Sequence, residues 1–396
     1  MTSALRSTAR MTTSDATRDG GRHRRAPRNE PNPGAGALAS LTESLPSSTA
    51  IEGAVTAPLI IAHRGASGHR PEHTLAGYEL AIAMGADFIE PDVVPTRDGA
   101  LVVRHDNELS GTTDIADRST FADRRTTKVV DGQELTGWFV EDLTLDEVKT
   151  LRARERIPHV RPANTAFDGL FQIPTLDEVL TLARKSGVGV YPETKHPTYF
   201  AELGLALEEP LVAALQDAGF NGRDARVFIQ SFEIGNLRQL RTMTELPLVQ
   251  LLSSDGRPPD VVAADSGPSC ADMATAEGLA EIAAYADGIG PHKTVLIPTD
   301  DAGASGTPTA VVDDAHAVGL VVHPWTFRNE QPFLATDLRA VAARTDGEQT
   351  AAAATGLAPQ EYRRFFDLGV DGVFTDHTDM AVAVRHAWLR DQPPPM

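Results

Sequence analysis

Two carboxylates, Glu90 and Asp92, stand two residues apart in the run Phe88-Ile89-Glu90-Pro91-Asp92-Val93-Val94. Read as a strand, that run turns both acids to one face. Phe88 and Val94 share their parity, so the face is an inward one, where unpaired carboxylates cost several kcal/mol on the order expected for buried charge. Acids so close repel each other unless a cation or a proton lies between them. A third, Glu193, closes another apolar run at Tyr191-Pro-Glu-Thr-Lys195. Three carboxylates with no cysteine or histidine mixed among them suit a hard divalent cation, Ca²⁺ or Mg²⁺, more than zinc. His63 and His105 end two further apolar runs, Leu59–Ala62 and Ala100–Arg104. A pair of imidazoles beside a metal suits a general base and a general acid working near neutral pH. Arg64, Lys195 and Lys293 bring positive charge into an acidic chain, as an anionic substrate requires. Together these groups describe metal-assisted cleavage of a phosphate ester.

The elements that must position them follow from hydropathy patterning. From Pro58 onward apolar, β-rich runs alternate with helical patterns, the signature of parallel α/β architecture. Strands are predicted at 59–64, 88–94, 189–194, 227–231, 248–252, 288–291, 320–325 and 372–375, with helices between them, including 202–218, 234–243 and 310–318. Thr175 or Asp177 is placed to cap the helix that follows Pro174. Eight strands each followed by a helix are the count of a (β/α)8 TIM barrel, and the strand ends of such a barrel gather on one face. A doubly wound open sheet is the alternative, disfavoured because no glycine-rich phosphate fingerprint opens the first βα turn. On the barrel reading Gln230, His323 and Trp325 also reach the site face. Two polar stretches interrupt the alternation, an insertion over about 107–171 after the second strand and a segment over 329–359 after the seventh. Both are expected to shape the pocket. The first is read as irregular, apart from a short helical pattern at 145–153. His69, His159, His196, His292 and His377 are assigned to solvated loops, and Glu72 to fixing the loop after Gly65.

Composition bounds the rest. The 396 residues are 41% apolar and carry a net charge of −19, which argues against a general nucleic-acid binder. No apolar run approaches a membrane span. The single cysteine, Cys270, forms no internal disulfide. Residues 1–57 are rich in Arg, Ser, Thr, Gly and Pro and read as a disordered tail, with the barrel domain over 58–396. The pair Arg24-Arg25 is not followed by an apolar export segment, so a cytoplasmic location is expected. Oligomeric state is not legible.

The ordered motifs His63-Arg64-Gly65, Pro71-Glu72-His73-Thr74, Glu90-Pro-Asp92 and His105-Asp106 resemble the glycerophosphodiester phosphodiesterase family. With Tyr-Pro-Glu193-Thr-Lys195, His323-Pro-Trp-Thr-Phe and Val373-Phe-Thr-Asp376, the likeness is greatest to its bacterial periplasmic type, for which export would be the expectation. The resemblance implies a TIM barrel with an insertion after the second strand. It implies catalytic histidines at His63 and His105, one divalent cation on Glu90, Asp92 and Glu193, and phosphate contacts from Arg64 and Lys195. The implied reaction releases sn-glycerol 3-phosphate and an alcohol from a small glycerophosphodiester. The alternatives are a phospholipase D or lysophospholipase D acting on lipid, which needs an apolar rim, and an inactive phosphodiester-binding barrel, which predicts a missing site residue. None is missing.

Overall fold

The computed structural model describes residues 57–339 and 355–393. The tail expected at 1–57, apart from its last residue, and the middle of the 329–359 segment lie outside the described residues. The chain folds as a (β/α)8 barrel. Its parallel strands are Leu59–His63, Phe88–Glu90 with Asp92–Pro95, Gly189–Val190 with Glu193–Thr194, Ile229–Ser231, Leu248–Leu252, Gly288–Pro291, Val321–Val322 and Gly372–Thr375. The second and third strands each come in two pieces, broken at Pro91 and at Tyr191-Pro192, because proline has no N–H to continue a ladder. Neighbours pair in register around the ring, with His63 beside Glu90, Asp92 beside Glu193, and Glu193 beside Gln230. The seventh strand meets the eighth through Asp371 N to Val322 O (3.0 Å), Phe374 N to Pro324 O (3.0 Å) and Phe327 N to Phe374 O (2.8 Å). The eighth then pairs with the first, Ile60 opposite Val373.

Alternation along these strands sorts residues into two cores. Ile60, Ile89, Leu248 and Val373 belong to the large core shared with the helices. Their neighbours Ile61, Phe88, Tyr191, Val249 and Phe374 form a separate cluster, the packed interior of a barrel. Continued two residues at a time, the inner columns run Ile61 to His63, Phe88 to Glu90 and Asp92, Tyr191 to Glu193 and Lys195, and Phe374 to Asp376. Each is apolar below and ionisable above.

Helix ends are set by local chemistry. Thr175, not Asp177, caps Leu176–Ser186: its hydroxyl accepts from Glu178 N (3.2 Å) while Glu178 Oε2 accepts from Thr175 N (2.8 Å), a reciprocal capping box. The single helix expected at 202–218 is instead two, Pro197–Glu202 and Glu208–Asp217, interrupted around Gly204, an unfavourable helix residue. The insertion is more ordered than its polarity suggested. It holds a hairpin, Thr126–Val130 with Gln133–Gly137, turned by Asp131-Gly132 with both φ positive (47° and 77°), the two-residue turn such a pair favours. Leu109, Phe121, Phe139, Val140 and Val148, all within the insertion, are buried. No helix among the described residues is long and apolar enough to cross a membrane.

Candidate active site

At the upper end of the columns lies a cavity of about 430 Å³. His63, Arg64, Glu90, His105, Glu193 and Lys195 all line it. Asp92 sits directly behind: one oxygen each from Glu90, Asp92 and Glu193 lies within 4.8 Å of the others. Six of the seven expected site residues therefore face one space, and the seventh completes an acidic cluster beside it.

The chain turns sharply after the first strand to build this corner. Arg64 takes φ +62° and Gly65 φ +85°, and the Arg64 backbone N–H donates to Glu90 Oε2 (2.7 Å). Gly65 is required: a Cβ there would stand 2.8 Å from the backbone carbon of Gly77 in the following helix. The Arg64 guanidinium is shared between Glu72 (3.2 Å) and Asp92 (3.4 Å). Glu72 is further held by Arg156, with two contacts of 2.7 Å. It fixes the loop, as expected, and its carboxyl is held well below the usual range because, although burial opposes it, Arg156 and Arg64 prevail.

Each histidine has its own carboxylate. His63 Nδ1 lies 2.7 Å from Asp376 Oδ1, and His105 Nδ1 lies 2.6 Å from Asp106 Oδ1. Such a partner fixes the ring and its tautomer, leaving Nε2 to do chemistry. Burial, with help from the Arg64 charge, lowers the His63 imidazole to about 4. Burial, Arg64 and Lys195 likewise hold His105 well below its ordinary value. In both rings the environment favours the neutral form.

The acidic cluster is electrostatically divided. Burial, then Asp92 and Glu193, pushes Glu90 well above the carboxylate range. Asp92 is lowered against its burial by Lys195 and by His73, whose Nε2 lies 2.8 Å away. Glu193 is raised to about 8 by burial even though Lys195 Nζ contacts it at 2.6 Å. Lys195 in turn is raised, since Glu193 and Asp92 outweigh its own desolvation. Both members of this ion pair rise because burial outweighs the Lys195 contact at Glu193, with the Asp92 charge adding to it. The cluster fits a hard cation on its own terms: Asp92 Oδ1 and the neutral Gln230 Oε1 are buried without a hydrogen-bond partner, and a cation supplies what both lack.

Several participants were not singled out from the sequence. Asp376 Oδ2 accepts from Arg161 Nη2 (2.6 Å) and Arg328 Nε (2.8 Å), so the insertion braces the first histidine through Arg161. It reaches the second through Arg156, whose Nη1 contacts Asp106 at 2.7 Å. The insertion was expected to shape the pocket, yet among the described residues none of its side chains lines the cavity. The segment after the seventh strand does, through Phe333, Leu334 and Leu338. Asp376 carried a signal, standing in the Val373-Phe-Thr-Asp motif. Arg156 and Arg161, in an irregular stretch, carried none. Gln230, Lys293 and Trp325 face the cavity as expected. His323 does not: it is buried inside the barrel against Tyr191 OH (2.9 Å). His292, assigned to solvent, is a cavity residue, and His377 is buried.

Residues 63–380 match the glycerophosphoryl diester phosphodiesterase family model. A glycerophosphodiester phosphodiesterase of Arabidopsis thaliana is 35% identical over 337 residues, covering 81% of this chain and 84% of its own. One from Bacillus subtilis is 32% identical over 352 residues, covering 87% and 92%. Among solved structures, a protein from Silicibacter pomeroyi superposes with a TM-score of 0.58 at 23% identity, covering 85% of this chain and 95% of that one. A phosphodiesterase of Oleispira antarctica, solved in complex with sn-glycerol-3-phosphate, gives 0.53 at 21%, covering 83% and 96%. At those identities the two structures speak to the fold.

Proposed function

The chain belongs to the glycerophosphoryl diester phosphodiesterase family and has that enzyme activity, and from this premise we propose that its cavity cleaves glycerophosphodiesters to sn-glycerol 3-phosphate and an alcohol by paired-histidine acid–base chemistry. The observation that carries the proposal is the symmetry of the histidines: each is oriented through Nδ1 by a buried or half-buried carboxylate, and both line the space beside the acidic cluster. The product bound in the Oleispira neighbour is the same glycerol phosphate.

Glu90, Asp92 and Glu193 would hold one divalent cation, Ca²⁺ in preference or Mg²⁺, with Gln230 Oε1 close by. Bound there, it would offset charge on the non-bridging phosphate oxygens and favour ionisation of the attacking oxygen, that of water or of the substrate's own glycerol hydroxyl, whose cyclic phosphate water then opens. Arg64 and Lys195 face the same phosphate and stabilise the charge that develops on it. One imidazole takes the proton of the attacking oxygen through Nε2, and its carboxylate partner stabilises the imidazolium formed. The other must donate to the departing alkoxide. The Arg64 charge is among the causes that depress both rings, so an arriving phosphate anion, by offsetting that charge, brings a ring back towards the range in which it can carry a proton.

The test is release of glycerol 3-phosphate from glycerophosphocholine by wild type, His63→Ala and His105→Ala. Each variant should lose roughly 10²–10⁴-fold in turnover. Near wild-type release by either one rejects its role. Chelation with Ca²⁺ or Mg²⁺ add-back, read by calorimetric binding as well as turnover, tests the cation separately.

A further inference from the structure

The cavity extends beyond the catalytic groups. Its far wall is apolar, built by Ile297, Phe333, Leu338 and Phe365, but it also contains Lys293 and Glu361. No step of the proposed chemistry uses this pair. Lys293 Nζ donates to Glu361 Oε1 (2.7 Å) and to the Phe333 carbonyl (2.9 Å). Glu361 is only 4% exposed, and its second oxygen, Oε2, is buried with no hydrogen-bond partner. A buried ion pair brings a desolvation cost that its own attraction barely offsets, and the unsatisfied carboxylate oxygen of a residue that lines the cavity adds to it. The missing partner is a donor, and the cavity is where one can come from.

We propose that this lobe is the subsite for the alcohol half of the substrate, and that it takes a neutral polyol such as glycerol or a cyclitol. The proposal rests on the phosphodiesterase reading of the same cavity. The chemistry separates the common classes of alcohol. A hydroxyl donates to Glu361 Oε2 and accepts from the remaining N–H of Lys293, so adjacent hydroxyls satisfy both members of the pair. A quaternary ammonium has no N–H to give, and the pair offers it no net negative charge because the lysine already balances the glutamate. A primary ammonium can donate, but it meets the lysine's charge at close range. The apolar wall accommodates the carbon face of a polyol without demanding a hydrocarbon chain.

The experiment compares kcat/KM for glycerophosphoglycerol, glycerophosphoinositol and glycerophosphocholine. It uses wild type, Glu361→Gln, and the double substitution Lys293→Met with Glu361→Leu, which removes both buried charges together and so guards against a variant that merely misfolds. Wild type should favour the polyol esters by about tenfold or more, since a site built around a hydroxyl discriminates strongly against ligands that lack it. The polyol-to-choline ratio should fall by roughly that factor in both variants, mainly through KM. A wild-type preference for the choline ester, or an equal loss on all three esters, overturns the proposal. Calorimetric titration of the three diesters into His63→Ala protein reads the same ranking without turnover. Preferential binding of polyol esters by a protein that hydrolyses none supports the subsite while rejecting the enzymatic reading. Equal binding of all three overturns the subsite whatever the turnover.

Discussion

Replacing Asp376 by Asn gives the sharpest test of how His63 is held. Asp376 is 2% exposed. One oxygen faces His63 Nδ1 at 2.7 Å, and the other accepts from Arg161 and Arg328 at 2.6 and 2.8 Å. Asparagine keeps the shape but has one acceptor and one donor. If its oxygen stays with the two guanidiniums, its NH2 faces His63 and forces the ring to present a lone pair at Nδ1. The proton then sits on Nε2, the atom that must accept one. Turned around, the amide points its NH2 at two donors, which is worse. Either way His63 is in the wrong tautomer and its imidazolium loses a charged partner. A carboxylate-to-amide change of this kind in a catalytic histidine pair costs up to about 10⁴ in kcat, so a loss of roughly 10³–10⁴ is expected here, or about 4–5.5 kcal/mol of barrier. KM should move by less than about threefold, since Asp376 itself does not line the cavity and ground-state binding is left intact. Folding should suffer less than catalysis. Arg161 retains Glu330 (2.5 Å) and the Ser67 carbonyl (3.0 Å), and lost charged hydrogen bonds cost about 1.5–3 kcal/mol each. Turnover on glycerophosphocholine, a urea titration and the ring-nitrogen NMR shifts of His63 read the three quantities. A kcat within about threefold of wild type, or an unchanged tautomer, refutes the reasoning.

Three further outcomes are expected. Adding Ca²⁺ at a hundred times its dissociation constant should stabilise the fold by about 2.7 kcal/mol, roughly 5 °C in melting temperature, and Asp92→Asn should abolish the shift; an undiminished shift places the ion elsewhere. Gly65→Ala should cost about 1–2 kcal/mol from its left-handed φ alone, and more from contact with the Gly77 backbone 2.8 Å from the new Cβ; a urea midpoint equal to wild type disproves the requirement. Burial lowers His323 to about 4, so its folded-state value is depressed and the unfolded chain binds the proton first. Its contribution is therefore complete above about pH 6.5 and is lost as pH falls towards 4, up to about 3 kcal/mol, and urea titrations of wild type and His323→Gln over that range should show the shallower slope in the variant.

What could be read before folding, and why, is plain in the strands. Period-two alternation put His63, Glu90, Asp92 and Glu193 on inward columns, since a strand's facing depends only on its own residues. The two-residue turn at Asp131-Gly132 and the helix break at Gly204 are equally local features, set by residues that favour turns and disfavour helix. Lys195 followed from the same column as Glu193, and Asp376 at least stood in a motif. Other facts were not local at all. That Asp376 orients His63 across 313 residues of sequence, that Arg161 and Arg156 reach back from the insertion, and that His323 falls below the cavity while His292 enters it depend on how eight strands close into a ring. The amino-acid sequence by itself determined the repeating unit, the inward acids and the histidine pair. Tertiary structure decided which charges meet, because side chains far apart along the chain come together only where barrel closure and burial bring them, and no short-range pattern encodes that distance.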